Sequence, residues 1–135
     1  MTTNLVTMKV PGKPEFIKVC RSAAIATASL VGFDVDTVDE IGMAVFEGCK
    51  AITCHGYDCW VAEYEMDIQI SDNEFKVEIK STGEHNVEKQ SHICLDCPRE
   101  GDLGISIIKN IMDSIEIENK EDGSKKITLV KKYAR

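Results

Sequence analysis

The hydrophobic pattern changes period once along the chain, and that switch restricts the fold more than any other feature. From residue 15 the positions Phe16, Val19, Cys20, Ala23, Ala24, Thr27, Leu30 and Val31 recur three and four apart, the spacing of one helix face. Gly32 ends that segment. Asp34 or Asp36 then supplies the carboxylate cap of a second helix, whose apolar stripe is Val38, Ile41, Gly42, Val45, Cys49 and Ile52. Beyond His55-Gly56-Tyr57 the period falls to two. Tyr64, Met66, Ile68 and Ile70 alternate with Glu65, Asp67 and Gln69, and after the turn Ser71-Asp72-Asn73-Glu74 the residues Phe75, Val77 and Ile79 alternate with Lys76, Glu78 and Lys80. This pattern predicts an antiparallel hairpin with one buried face.

The flanking segments complete the order. Residues 5–10 form a short apolar run broken by Pro11-Gly12-Lys13-Pro14, which predicts an edge strand. Residues 81–100 have no clear period and little apolar content; a loop of that length in a compact domain is either a functional lid or a disordered segment. Gly101-Asp102-Leu103-Gly104 opens a third helix with Ile105, Ile108, Ile111 and Met112 on its inner face, and residues 114–118 and 126–130 flank the turn Glu121-Asp122-Gly123-Ser124. The order β-α-α-β-β-loop-α-β-β predicts an α+β two-layer sandwich, three helices on one face of a mostly antiparallel sheet. At 135 residues, 43% of them hydrophobic, residues 1–135 suffice for one domain with its own core.

Charge narrows the function. Sixteen basic against 23 acidic residues leave a net charge of −7, which argues against nucleic-acid binding by phosphate neutralisation. No run of about 18 apolar residues is present, so no membrane span is expected. The amino terminus has neither the basic start nor the apolar stretch of a signal peptide, and the expected location is the cytoplasm. In such a compartment the six cysteines are reduced thiols by default. Cys20 and Cys49 fall on the apolar helix stripes and are expected in the core.

The order of elements, the acid Glu47 on the second helix and the glycine pair opening the third together resemble the GHKL (Bergerat, histidine kinase-like) ATPase fold. More narrowly, they resemble the anti-sigma factor serine/threonine kinases of bacteria. Lys9-Val10-Pro11-Gly12-Lys13-Pro14-Glu15 is similar to that family's opening strand and turn. The run Val38-Asp39-Glu40-Ile41-Gly42-Met43-Ala44-Val45-Phe46-Glu47 is similar to the approach to its N-box, and His55-Gly56-Tyr57 to its end. Gly101-Asp102-Leu103-Gly104 with the helix after it resembles its glycine box. The resemblance implies Mg-ATP as cofactor, a sigma factor and an antagonist protein as partners, a homodimer, and phosphorylation of a serine on the antagonist.

It also implies roles residue by residue, and several positions depart from the pattern. Glu47 matches the general base of the N-box. Four residues on, where the family has a magnesium-binding Asn, stands Ala51, on the same helix face but without an oxygen. Lys50 beside it is a cation available to neutralise phosphate without metal. The adenine-reading Asp-x-Gly is Ser81-Thr82-Gly83, with a hydroxyl in place of the carboxylate. Gly101 and Gly104 open a helix N-terminus suited to phosphate, but Asp102 between them can cap that helix itself and repel an anion. The late Gly-Thr turn is Gly123-Ser124. A lost charge-assisted contact costs about 1.5–3 kcal/mol, at least tenfold in affinity.

Each candidate has a plainer reading. Glu47 is equally a half-buried acid paired with Lys50 or His55, His55 a helix-end residue interacting with the dipole, and Trp60 a packing anchor. Asp34, Asp36, Asp39 and Glu40 read as a solvated helix start. In the loop, Cys94-Leu95-Asp96-Cys97 forms a C-x-x-C that the resemblance places in the lid over the nucleotide pocket; Cys54 and Cys59 follow the N-box helix. Four such ligands would suit zinc or an iron–sulfur centre, and the lid pair alone a reversible disulfide; free thiols are the alternative. The leading expectation is a regulator that binds a sigma factor or an antagonist with its nucleotide chemistry weakened or lost. An active Mg-ATP-dependent serine kinase and a thiol or metal sensor are the alternatives.

Overall fold

Alternating and helical segments fold where their periods place them. In the computed structural model, which describes residues 3–52, 63–82, 103–119 and 125–133, the strands are β1 (Asn4–Pro11), β2 (Glu63–Ile70), β3 (Glu74–Thr82), β4 (Ser114–Asn119) and β5 (Lys125–Lys132). The helices among the described residues are α1 (Ile17–Val31), α2 (Val35–Ala51) and α3 (Leu103–Ile111). The sheet runs β1-β2-β3-β5-β4 with every described pairing antiparallel, and β1 lies at an edge as expected.

Register puts the apolar set on one face. Met66 pairs with Ile79 and Ile79 with Ile127, while Ile68 pairs with Val77 and Val77 with Leu129; all six are fully buried. The alternate residues form a charged open face, with ion pairs Lys80–Glu65 at 3.9 Å, Lys126–Glu78 at 3.5 Å and Lys76–Glu78 at 3.4 Å. Exposed pairs of this kind contribute at most about 1 kcal/mol each; the buried face is what fixes the register.

The middle helix organises the other layer. α2 packs against α1 on one side and α3 on the other. It therefore buries Ala44, Gly48 and Ala51 in addition to the stripe read from the sequence. Its glycines mark close approaches. A Cβ on Gly42 would stand 2.7 Å from Ile25 Cδ1 of α1, and one on Gly48 would stand 3.5 Å from Ile79 and Leu129 of the sheet.

α1 differs from the expectation. Residues Pro14–Phe16 form a 3-10 turn and the α-helix starts at Ile17. The buried set is Ile17, Cys20, Ala24, Thr27 and Ala28, whereas Val19 and Leu30 are 44% and 82% exposed. An outer helix has one neighbouring helix to cover it, so its buried arc is narrower than its apolar content. Gly32 ends it at φ 100°, a left-handed conformation that favours glycine. Of the two candidate caps of α2, Asp34 is the one used: its Oδ1 accepts a hydrogen bond from the Thr37 N–H at 2.8 Å, and the Thr37 side chain, the larger influence, joins that N–H in holding the carboxyl below the usual carboxylate range. The inner face of α3 is Ile105, Ile108 and Ile111, with Met112 just beyond, all buried. Lys131 Nζ donates to the Ile111 carbonyl at 2.7 Å, closing the helix at its carboxyl end.

Candidate functional site

The last turn of α2 and the first turn of α3 bring Glu47, Lys50, Ala51 and Gly104 into one region. Glu47 is half-buried, and its Oε2 lies 3.5 Å from Lys50 Nζ one helical turn on. The same ammonium stands 5.6 Å from the centre of the Phe46 ring, within reach of its electronegative face. Glu47 Oε1 is aimed the other way, toward α3. A Cβ on Gly104 would sit 2.6 Å from it, so only glycine leaves the carboxylate its place. That place is the first turn of α3, where backbone N–H groups lack intrahelical acceptors and the dipole favours negative charge. The acid on the second helix and the second glycine of the box, paired only by the family resemblance, are thus in contact.

Ser81 meets a different fate. It is fully buried on the helix-facing side of the sheet, paired with Tyr64. Its Oγ accepts a hydrogen bond from the Lys125 N–H at 2.9 Å and donates to the Lys125 carbonyl at 3.3 Å. The hydroxyl's donor and one acceptor lone pair are directed to β5, where they extend the β3–β5 ladder past its last pair, Lys80 and Lys126. Residues 81 and 82 are consequently strand, a correction to the loop expected over 81–100. No motif marks Lys125 as the partner, because the contact spans 44 residues.

Other expected site residues fall elsewhere. Gly83, Gly101, Asp102 and Ser124 lie outside the described residues, as do His55, Trp60, Cys54, Cys59, Cys94 and Cys97. Cys20 and Cys49 are fully buried thiols, not joined in a disulfide, between α1 and α2, as their stripes predict. Their mutual hydrogen bond pulls Cys20 below the ordinary thiol value and pushes Cys49 above it, burial adding to the rise at Cys49.

The magnesium ion implied by the resemblance does not fit these residues. Magnesium demands near-octahedral oxygen ligands. Ala51 has none, the Glu47 carboxylate faces an ammonium, and among the described residues no group of three or more His, Cys, Asp or Glu could hold a metal ion. Among the same residues, no helix is long and apolar enough to cross a membrane.

Comparison with known proteins agrees with this architecture. The chain is 26% identical over 129 residues to the serine-protein kinase RsbW of Bacillus pumilus, covering 87% of this chain and 80% of that protein. It is 28% identical over 130 residues to the proteins of the same name from Bacillus thuringiensis and Bacillus cereus, covering 86% of this chain and 78% of each. The histidine kinase-like ATPase domain matches residues 10–131. With the helix layer, the antiparallel sheet and the Glu47–Gly104 contact in place, the chain belongs to the histidine kinase-like ATPase domain family.

Proposed function

We propose that this protein is an anti-sigma-factor-like regulator, acting in the cytoplasm by binding a sigma factor or an antagonist protein, with Mg-ATP-dependent phosphoryl transfer weakened or lost. The similarity to serine-protein kinases RsbW supports the regulatory class. The observation that carries the loss of nucleotide chemistry is the Ser81 hydroxyl, buried and bonded at both ends to the Lys125 backbone. With its donor and one of its two acceptor lone pairs engaged, the buried hydroxyl is held toward β5, and it lacks the charge with which a carboxylate would read an adenine amino group. Ala51 removes an oxygen ligand as well, and phosphoryl transfer depends almost wholly on positioning and charge stabilisation.

The retained acid favours one second reading, an active serine kinase. Glu47 keeps its carboxylate at the opening turn of α3, where a general base of this fold would serve. The two readings part on one experiment. Purified sigma factors and candidate antagonists from the same organism are titrated with the protein in EDTA, and then incubated with it and γ-labelled Mg-ATP. The regulator forms a nucleotide-independent complex and transfers no label. Transfer to a serine, abolished by Glu47→Gln, would replace this reading with the kinase.

A further inference from the structure

We propose that Cys20 and Cys49 are a peroxide-oxidisable thiol pair, whose disulfide staples α1 to the last turns of α2. The pair lies apart from the Glu47–Gly104 contact, so the inference goes beyond the regulatory reading and holds whichever ligand that region takes. A single buried cysteine is ordinarily a small apolar residue. Here two of them, from different helices, meet in one seam. Both are fully buried, and they are hydrogen-bonded to each other.

The seam allows the bond to form. The short connection 32–34 folds α2 back along α1, and a Cβ on Gly42 would stand 2.7 Å from Ile25 Cγ1 and Cδ1. Cys49 lies two turns beyond Gly42 on α2, and Cys20 lies before Ile25 on α1, so the antiparallel course sets the two sulfurs opposite each other. A disulfide requires Cα atoms about 4.4–6.8 Å apart. Helix axes about 8–10 Å apart bring facing Cα atoms to that range, because each stands about 2.3 Å off its own axis toward the other.

The hydrogen bond also divides the roles. Cys49 donates its S–H to the Cys20 sulfur, which holds the Cys20 thiol below its ordinary value and makes it the better nucleophile. The Cys20 thiolate attacks hydrogen peroxide, the O–O bond breaks, and a sulfenic acid forms as hydroxide leaves and takes up the thiol's proton. The Cys49 sulfur then displaces the hydroxyl from Cys20, its own proton leaving with that oxygen as water. Two thiols and one peroxide give one disulfide and two waters. Peroxide is little larger than water, so it enters a seam that excludes bulkier thiol reagents and glutathione disulfide. Cys49 follows Glu47 by two residues, so the bond also pins the turn of α2 that bears the acid.

The test exposes the folded, reduced protein to hydrogen peroxide, blocks remaining thiols with iodoacetamide in guanidinium, and digests with trypsin without reductant. Cleavage after Lys18, Arg21 and Lys50 leaves Cys20 in residues 19–21 and Cys49 in residues 22–50, each the one cysteine of its peptide. Mass spectrometry should recover the two peptides joined, and separate after dithiothreitol; glutathione disulfide should leave them apart in the folded protein. In Cys49→Ala, peroxide should leave a sulfenic acid at Cys20 that dimedone captures once the chain is unfolded, whereas in Cys20→Ala the Cys49 thiol should survive. Circular dichroism establishes that each variant is folded, and the wild-type peptide map decides the matter without them. In a chain with Cys54, Cys59, Cys94 and Cys97 replaced by serine, oxidation should raise Tm, reversibly with dithiothreitol. Peptides recovered apart after the other cysteines have been oxidised, joined only after unfolding, or joined to other cysteines instead overturn the inference, as does a link that leaves Tm unchanged.

Discussion

Replacing Ser81 by alanine separates a structural hydroxyl from a ligand-reading one. The side chain is fully buried, and its oxygen both accepts from the Lys125 N–H and donates to the Lys125 carbonyl. Alanine fills nearly the same volume but leaves two main-chain groups at the start of β5 without that partner. A fully buried polar group left unpaired costs about 1–3 kcal/mol. Lys125 is only half-buried, so water recovers part of the loss and the expected total is about 1–2 kcal/mol. For a chain of this size that lowers Tm by about 3–8 °C. Urea unfolding followed by circular dichroism should show a lower midpoint with an unchanged m-value, and the Lys125 amide should exchange faster. Ser81→Asp should be less stable than Ser81→Ala: a carboxylate can accept from the Lys125 N–H, but it cannot donate to the Lys125 carbonyl and faces it as a like dipole. The alanine variant should also leave any response to ATP unchanged. Wild-type stability and Lys125 protection in Ser81→Ala, or a loss of ATP response without a loss of stability, would refute the assignment of this hydroxyl to the β3–β5 ladder.

Gly104→Ala should fold, because the atom its Cβ meets at 2.6 Å is the mobile end of Glu47, and helix propensity gains up to about 1 kcal/mol. Its cost should fall on any response to ATP, read by thermal unfolding with and without the nucleotide. Gly42→Ala should instead destabilise by about 1–2 kcal/mol in chemical unfolding, since its Cβ would stand 2.7 Å from both Cγ1 and Cδ1 of Ile25 between packed helices. Asp34 has a carboxyl pKa lowered by the Thr37 hydrogen bonds. Its contribution is therefore present above the unfolded value of about 3.9 and is lost as pH falls through the folded one; an acid titration of stability should show less loss in Asp34→Ala than in the wild type. Native protein should expose at most four of its six thiols to a thiol reagent, all six reacting in guanidinium, because Cys20 and Cys49 are inaccessible. Asp67→Thr should stabilise by about 0.5 kcal/mol, as Asp67 lies directly across from Glu78 and its buried Oδ1 has no hydrogen-bond partner among the described residues.

Much of this protein could be read from local pattern because its elements are regular. Alternation from Tyr64 to Ile79 fixed which face of the hairpin is buried, and the spacing of Val38, Ile41, Val45 and Cys49 fixed the inner side of α2. Both follow from periods of 2 and 3.6 that the backbone imposes on any chain. The glycine and acid of the site were legible only through the likeness to a family. What no period encodes is how neighbours divide a helix surface. α1 and α2 carry similar apolar content, yet Val19 and Leu30 are exposed while Ala44, Gly48 and Ala51 are buried, because α2 is flanked on both sides and α1 on one.

The sequence by itself determined the order of the described elements, the face that the β2–β3 hairpin, α2 and α3 turn inward, and the absence of an oxygen at Ala51. The tertiary structure decided what the polar groups do. It set Glu47 against Gly104 and beside Lys50, and it committed the Ser81 hydroxyl to Lys125. The physical reason is one of range. Burial of an apolar face repeats along the chain and leaves a trace in it, whereas a hydrogen bond or close approach between distant residues is a single event fixed only when the layers pack.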